Sequence, residues 1–249
     1  MDIINVSNHN DTTTVTLVRG KVHALNEASL DRLLLCCEEM RHDSGTRVVV
    51  LTGEGSFFSF GLDVPEIYDY SEKDCARFLG KFTRLYTELY AFEKPVIAAI
   101  NGHAIAGGCM LTNACDYRVM VTGKARISLN EVTFGSSIFA GSVEILRNLV
   151  GSRNAEVIAT TGHMFSAEDA AALGLIDLAV PPDDLASNVM SAVEHYKGID
   201  LRAFAAIKRL MHEPILEEIN RREQQSIQRF IDLWYSPETR EKLKEIQIR

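Results

Sequence analysis

Three short stretches carry groups able to act together on a carbonyl compound: Ser59-Phe60-Gly61-Leu62-Asp63, Asn101-Gly102-His103-Ala104-Ile105-Ala106-Gly107-Gly108-Cys109, and Leu129-Asn130-Glu131. Each alone has a plain reading. A glycine pair lets backbones pack closely, an aspartate after glycine caps a turn or helix, and a single glutamate is usually solvated. Together they describe a site. Two loops at the ends of adjacent buried strands each offer a backbone N–H to one oxygen, the second at a helix N-terminus where the dipole favours negative charge. Such a pair is an oxyanion hole. Glycine at 107 and 108 lets a carbonyl approach the backbone with no Cβ in the way. Glu131 stands among Leu129, Val132 and Phe134, and an apolar wall raises a carboxylate's pKa and makes it a stronger base.

Other chemistries fail on their own terms. Gly53-Glu54-Gly55 starts like a dinucleotide loop, but Phe58 holds the third glycine's position and FFSF does not open a helix. GSSIF from Gly135 ends in Phe139 where a nucleophile elbow needs glycine. His103, Cys109 and Cys115 match no common zinc spacing, so no metal is expected. The five cysteines include no CxxC and an adjacent pair, Cys36-Cys37, and read as packing residues in a reducing compartment.

These stretches need a scaffold. Ile3–Val6 and Thr13–Val18 alternate like strands around the turn residues Asn8–Asp11, predicting a hairpin. Asn26 caps a helical pattern through Leu30, Leu33, Leu34, Cys37 and Met40. Arg47–Thr52 and Val96–Ile100 are continuous apolar runs, as strands covered on both faces should be. Gly53–Gly61 reads as a loop, and Phe78, Phe82, Leu85 and Leu89 mark a helix ended before Pro95. Cys109–Cys115 reads as a short buried helix, Tyr117–Val121 as a strand and Arg126–Leu129 as another. Beyond Gly141 the patterns are mainly helical, with boundaries near Gly151, Gly162, Gly174 and Pro181-Pro182. Alternating strands and helices predict an α/β layered core. Residues 200–249 form an amphipathic helical end that packs on that core or on another subunit.

Composition narrows the partners. The chain has 249 residues, with 26 Lys plus Arg against 34 Asp plus Glu, a net charge of −8. That acidic balance argues against nucleic-acid binding. No apolar run of the roughly 18 residues needed to span a membrane occurs. MDIINVSNHNDTTTV has neither a basic nor an apolar leader region and KEIQIR is no peroxisomal address, so a cytoplasmic location is expected.

The ordered blocks VVVLTGEGSFFSFGLDV, KPVIAAINGHAIAGGCMLTNACDYRVM, ISLNEVTFG and FSAEDAAALGLIDLAVPPDDL resemble the crotonase (enoyl-CoA hydratase/isomerase) superfamily. The resemblance runs from about residue 12 to 190. It implies an α/β fold of repeated ββα units over residues 1–198, with a C-terminal helical trimerisation region over residues 199–249. It further implies an acyl-CoA thioester substrate, coenzyme A being part of that substrate, no separate cofactor, and a homotrimer or dimer of trimers. It puts the thioester oxygen on the N–H groups of Phe60 and Gly107, with Leu62, Asp63, Gly108 and Met110 contacting substrate or CoA. Hydratases of the family carry two glutamates. Here Glu131 stands at one position and Met110 at the other. A thioether cannot hold and deprotonate a water, so the pattern resembles the Δ3,Δ2-enoyl-CoA isomerases, with Glu131 as the single base. Hydration, hydrolysis or lyase chemistry would need another acid, for which Glu144 is the candidate; beside Arg147 on a helix it reads instead as solvated or salt-bridged. A non-catalytic acyl-CoA-binding homologue is the remaining alternative.

Overall fold

The computed structural model describes residues 3–246. Strands β1 (Ile4–His9) and β2 (Thr12–Leu17) form the expected antiparallel hairpin, with Ile4 opposite Leu17. Asn10 and Asp11 turn it at φ +46° and +61°, a region these two residue types tolerate. Helix α1 (Glu27–His42) starts where the Asn26 side chain accepts the Ser29 N–H at 3.0 Å.

The rest of the core repeats one unit. A long strand is followed by a very short strand and then by helix. The units are β3 (Val48–Gly53), β4 (Phe57–Ser59) with α2 (Val64–Tyr68) and α3 (Glu72–Tyr90); β5 (Val96–Ile100), β6 (His103–Ile105) with α4 (Gly107–Asn113); and β7 (Tyr117–Val121), β8 (Ile127–Ser128) with a 3₁₀ turn (Glu131–Phe134) and α5 (Ala140–Thr161). The long strands join β1, β2 and a later β9 (Leu178–Val180) in a six-stranded sheet ordered β1-β2-β3-β5-β7-β9, parallel beyond the hairpin. The short strands form a second, parallel sheet ordered β4-β6-β8. Three elements depart from the sequence reading: Gly53–Gly61 contains β4, NGHAI contains β6, and the helical second half contains β9.

Alternation explains the buried runs. Val49, Leu51, Ala98, Ile100 and Met120 face the main core, while Val48, Val50, Ile97, Ala99 and Val119 pack under Val189 and Val193 of α7 (Leu185–Lys197). After α6 (Ala167–Ala172) and α7 comes α8 (Leu201–Trp234), followed by α9 (Pro237–Lys244). Helix α8 packs on α3 and α5. Its Glu223 is buried, accepts the Tyr86 hydroxyl, and accepts the Gly141 N–H at 3.0 Å, while Ser226 Oγ accepts the Ala140 N–H at 2.9 Å. Phe139 precedes α5 and has no side chain to cap it, so α8 supplies the missing acceptors. Helix α5 breaks at Gly151 (φ +76°, ψ +161°), a boundary the glycine pattern anticipated. Among the described residues no helix is long and apolar enough to cross a membrane.

Candidate active site

The short sheet gathers the site. Its three parallel strands all end at the same edge, and each runs within a few residues into one of the sequence stretches. Strand β4 leads to Phe60-Gly61-Leu62, β6 to Ala106-Gly107, and β8 to Asn130-Glu131. Neighbouring strands lie about 4.8 Å apart, so three such ends fall within one small ligand's reach. The expectation placed two of these loops directly after the long strands; the intervening short strands are what bring them side by side.

A cavity of about 360 Å³ opens there, a size common for small-molecule sites. Phe60, Leu62, Gly107, Met110 and Glu131 all line it. Asp63 and Gly108 do not. Asp63 caps α2, accepting the Glu66 N–H at 3.2 Å, and is held by Arg19 at 2.6 Å. Gly108 faces the other way, where a Cβ would overlap the Ser59 carbonyl oxygen. Its glycine is required by α4 packing on β4.

The two loops touch. A Cβ on Gly61 (φ +87°) would lie 2.7 Å from the Gly107 nitrogen. Ala106 precedes Gly107 at φ +50°, ψ −118°, a conformation costing a non-glycine residue about 1–3 kcal/mol. The Gly107 N–H donates to no acceptor among the described residues. Phe60 differs from its expected role as a donor. Its N–H already donates to the Val22 carbonyl at 2.9 Å. The chain after β4 pairs with residues 22–25: Leu25 N–H donates to Gly61 O at 2.7 Å and Asp63 N–H to Leu25 O at 2.9 Å. In a parallel ladder the groups of residues 61 and 63 then face Leu25, so those of Leu62 face away. The Leu62 N–H has no protein acceptor among the described residues, and its side chain lies beside Gly107. Phe60 contributes its ring to the cavity wall instead.

Glu131 is 5 % exposed, and burial pushes its carboxyl up from 4.5 to about 8. Its Oε2 has no hydrogen-bond partner among the described residues. The surroundings differ from the expected trio. Val132 lies at the surface, 44 % exposed, while Met110 and Phe134 join Glu131 on the cavity wall. Glu144 is absent from that wall. Arg222 of α8 draws it away with an ion pair of 2.5 Å, and Arg147 adds a second at 3.6 Å. All five cysteines are free and buried, and burial pushes the Cys109 and Cys115 thiols far up, which suits packing and not nucleophilic work.

Sequence reasoning missed the far wall: Phe82, Phe139, Phe230 and Trp234. The rings of Phe139 and Phe230 stack at 5.0 Å, and those of Phe230 and Trp234 at 5.3 Å. For Phe230 and Trp234 the signal was the apolar spacing Ile219, Ile227, Phe230, Trp234 along α8, which marks a buried face without saying what it covers.

Fold and site together set two unengaged backbone N–H groups beside one buried carboxylate on the wall of an apolar cavity, among the described residues. The profile of the family described as enoyl-CoA hydratase/isomerase matches residues 8–246, and the chain belongs to that family. Enoyl-CoA delta isomerase 1, mitochondrial, of Mus musculus is 30% identical over 211 residues, 84% of this chain and 73% of that protein. The 2,3-dehydroadipyl-CoA hydratase of Escherichia coli K12 is 34% identical over 200 residues, 78% of this chain and 76% of that protein. The crystal structure of human mitochondrial delta3-delta2-enoyl-CoA isomerase superposes with a TM-score of 0.93 at 25% identity, covering 98% of this chain and 96% of that one.

Proposed function

We propose that this protein is an isomerase that converts 3-enoyl-CoA thioesters to trans-2-enoyl-CoA, a reaction of fatty-acid β-oxidation. One observation carries the reading: among the described residues the cavity wall holds a single carboxylate, Glu131, with Met110 beside it and Glu144 paired elsewhere. The thioester oxygen sits on the N–H groups of Leu62 and Gly107. Leu62 takes the role first given to Phe60, whose N–H is engaged. Ionised Glu131 removes a proton from C2. The C–H electron pair becomes the C1=C2 bond of a dienolate, and the negative charge moves to the thioester oxygen, where the two N–H groups stabilise it. The protonated Glu131 returns the same proton to C4, and the double bond settles between C2 and C3. No water enters, so the absence of a second carboxylate costs nothing. The high pKa of Glu131 suits a group that must both take and give a proton.

The relatives include both an isomerase and a hydratase, so the chemistry must be measured. Purified protein is mixed separately with 3-hexenoyl-CoA and crotonyl-CoA, and the conjugated-enoyl absorbance is followed. Growth of absorbance with the first substrate supports the reading. Loss of absorbance with the second, without conversion of the first, overturns it. We further propose that the chain assembles as a trimer or dimer of trimers. Supporting this, α8 exposes Ile207 (58 %), Leu210 (73 %) and Met211 (65 %) along one side. Light scattering giving a monomeric mass would refute it.

A further inference from the structure

One buried hydroxyl ties together the backbone segments that decide which N–H groups face the cavity. Ser59, the last residue of β4, is fully buried and does not itself line the cavity. Its Oγ–H donates to the His23 carbonyl at 2.8 Å, and its Oγ accepts the Gly61 N–H at 3.1 Å. Among the described residues neither backbone group has another partner. His23 is held in turn. It sits at φ +50°, its backbone N–H donates to the Arg19 carbonyl at 3.1 Å, and its ring Nε2–H donates to the Glu54 carbonyl at 2.7 Å. Ser59 also backs the second loop: a Cβ on Gly108 would overlap the Ser59 carbonyl oxygen and crowd its Cβ at 3.0 Å.

We infer that Ser59 is a positioning residue for the thioester oxygen: its hydroxyl holds segment 22–25 against Gly61 in the register that leaves the Leu62 N–H free beside Gly107. This rests on the acyl-CoA reading of the site. Phe60 is bonded to Val22 and Gly61 to Leu25, and the Ser59 hydroxyl joins the two strands between those bonds, at His23. Alanine at 59 leaves two buried backbone groups unpaired, and Gly61 must turn to find its N–H another acceptor. The Gly61 carbonyl and the Leu62 N–H belong to one planar peptide group, so that turn re-aims the Leu62 N–H. A misplacement of about 1 Å at such a group can lower a rate about 10²-fold.

The test compares hexanoyl-CoA with S-hexyl-CoA, in which a CH₂ replaces the thioester carbonyl, by calorimetry on wild type, Ser59→Ala and Ser59→Cys. Wild type should prefer hexanoyl-CoA, and the hexanoyl-to-hexyl affinity ratio should fall about 3- to 10-fold in Ser59→Ala, the span of one hydrogen bond. With ¹³C at the thioester carbonyl, infrared difference spectra should show its stretch lowered on binding to wild type and lowered less in the variant. Ser59→Cys keeps a weaker donor and acceptor and should fall between the two, which decides the matter if the alanine variant folds poorly. A merely structural serine would lower Tm and weaken both ligands alike. An unchanged ratio and an unchanged carbonyl shift in a folded variant therefore overturn the inference while leaving the acyl-CoA reading intact. Equal affinity of wild type for the two ligands overturns the inference together with the N–H pair it serves, and no binding of either ligand overturns the acyl-CoA reading as well.

Discussion

The substitution Glu131→Gln should make the protein inactive and, at high pH, more stable. The carboxyl sits near 4.5 in an unfolded chain and about 8 in the fold, with burial the cause. The folded state therefore holds a proton through a window where the unfolded state has lost it. Below about pH 4.5 both states are protonated and the group's full contribution to stability is present. As pH rises from there to about 8 that contribution drains away, because the fold must either keep the proton or bury a charge. A rise from 4.5 to about 8 corresponds to about 5 kcal/mol. The amide of the Glu131→Gln variant has no such proton to hold or lose. Urea melts of both proteins between about pH 5 and pH 9 should show the wild type losing up to about 5 kcal/mol relative to the variant, most of it before pH 8. Isomerisation in the variant should fall by about 10²–10⁴-fold or more, since an amide carries no proton between C2 and C4. In the wild type kcat/KM should rise with pH through about 8, as the free base ionises. Parallel stability curves for the two proteins would refute the burial argument. Full activity of the variant would remove Glu131 from the chemistry.

Met110→Glu puts a second carboxylate on the cavity wall. It should bring measurable hydration of crotonyl-CoA at a stability cost of about 1–3 kcal/mol, read by absorbance and by urea melts. Glu144→Gln breaks the pair with Arg222 without touching the cavity, so turnover of 3-hexenoyl-CoA should stay within about twofold and stability within about 1 kcal/mol. Gly108→Ala drives a Cβ into the Ser59 carbonyl and should cost about 1–3 kcal/mol, seen as a lower Tm, with turnover lost as the loop before α4 shifts.

The parts legible in the sequence are those with a local cause. The hairpin turn at Asn10-Asp11, the Asn26 cap and the apolar strands at 48–53 and 96–100 each announce themselves within a few residues. Strands β4, β6 and β9 have three residues each, too few to display a period. In the site, Gly107, Met110 and Glu131 stand out because glycines or strand ends flank them. The choice between Phe60 and Leu62 was not legible. It depends on which N–H the segment 22–25 consumes, a pairing made across more than thirty residues of chain. The α8 side of the wall was hidden for the same reason. Periodicity tells that Phe230 and Trp234 are buried, and only the tertiary fold tells that they enclose a cavity.

The three short strands also divide labour. In the proposed reaction the end of β4 supplies one donor, the end of β6 the other, and the end of β8 the base. On that proposal, holding the thioester oxygen is the business of two repeats, and moving the proton that of a third. Substitutions near residues 129–134 can relocate or retire the acid–base group while the oxygen cradle stays as it is. On the proposed reading, such an arrangement separates the choice of reaction from the pocket that holds the intermediate, so that one can change without rebuilding the other.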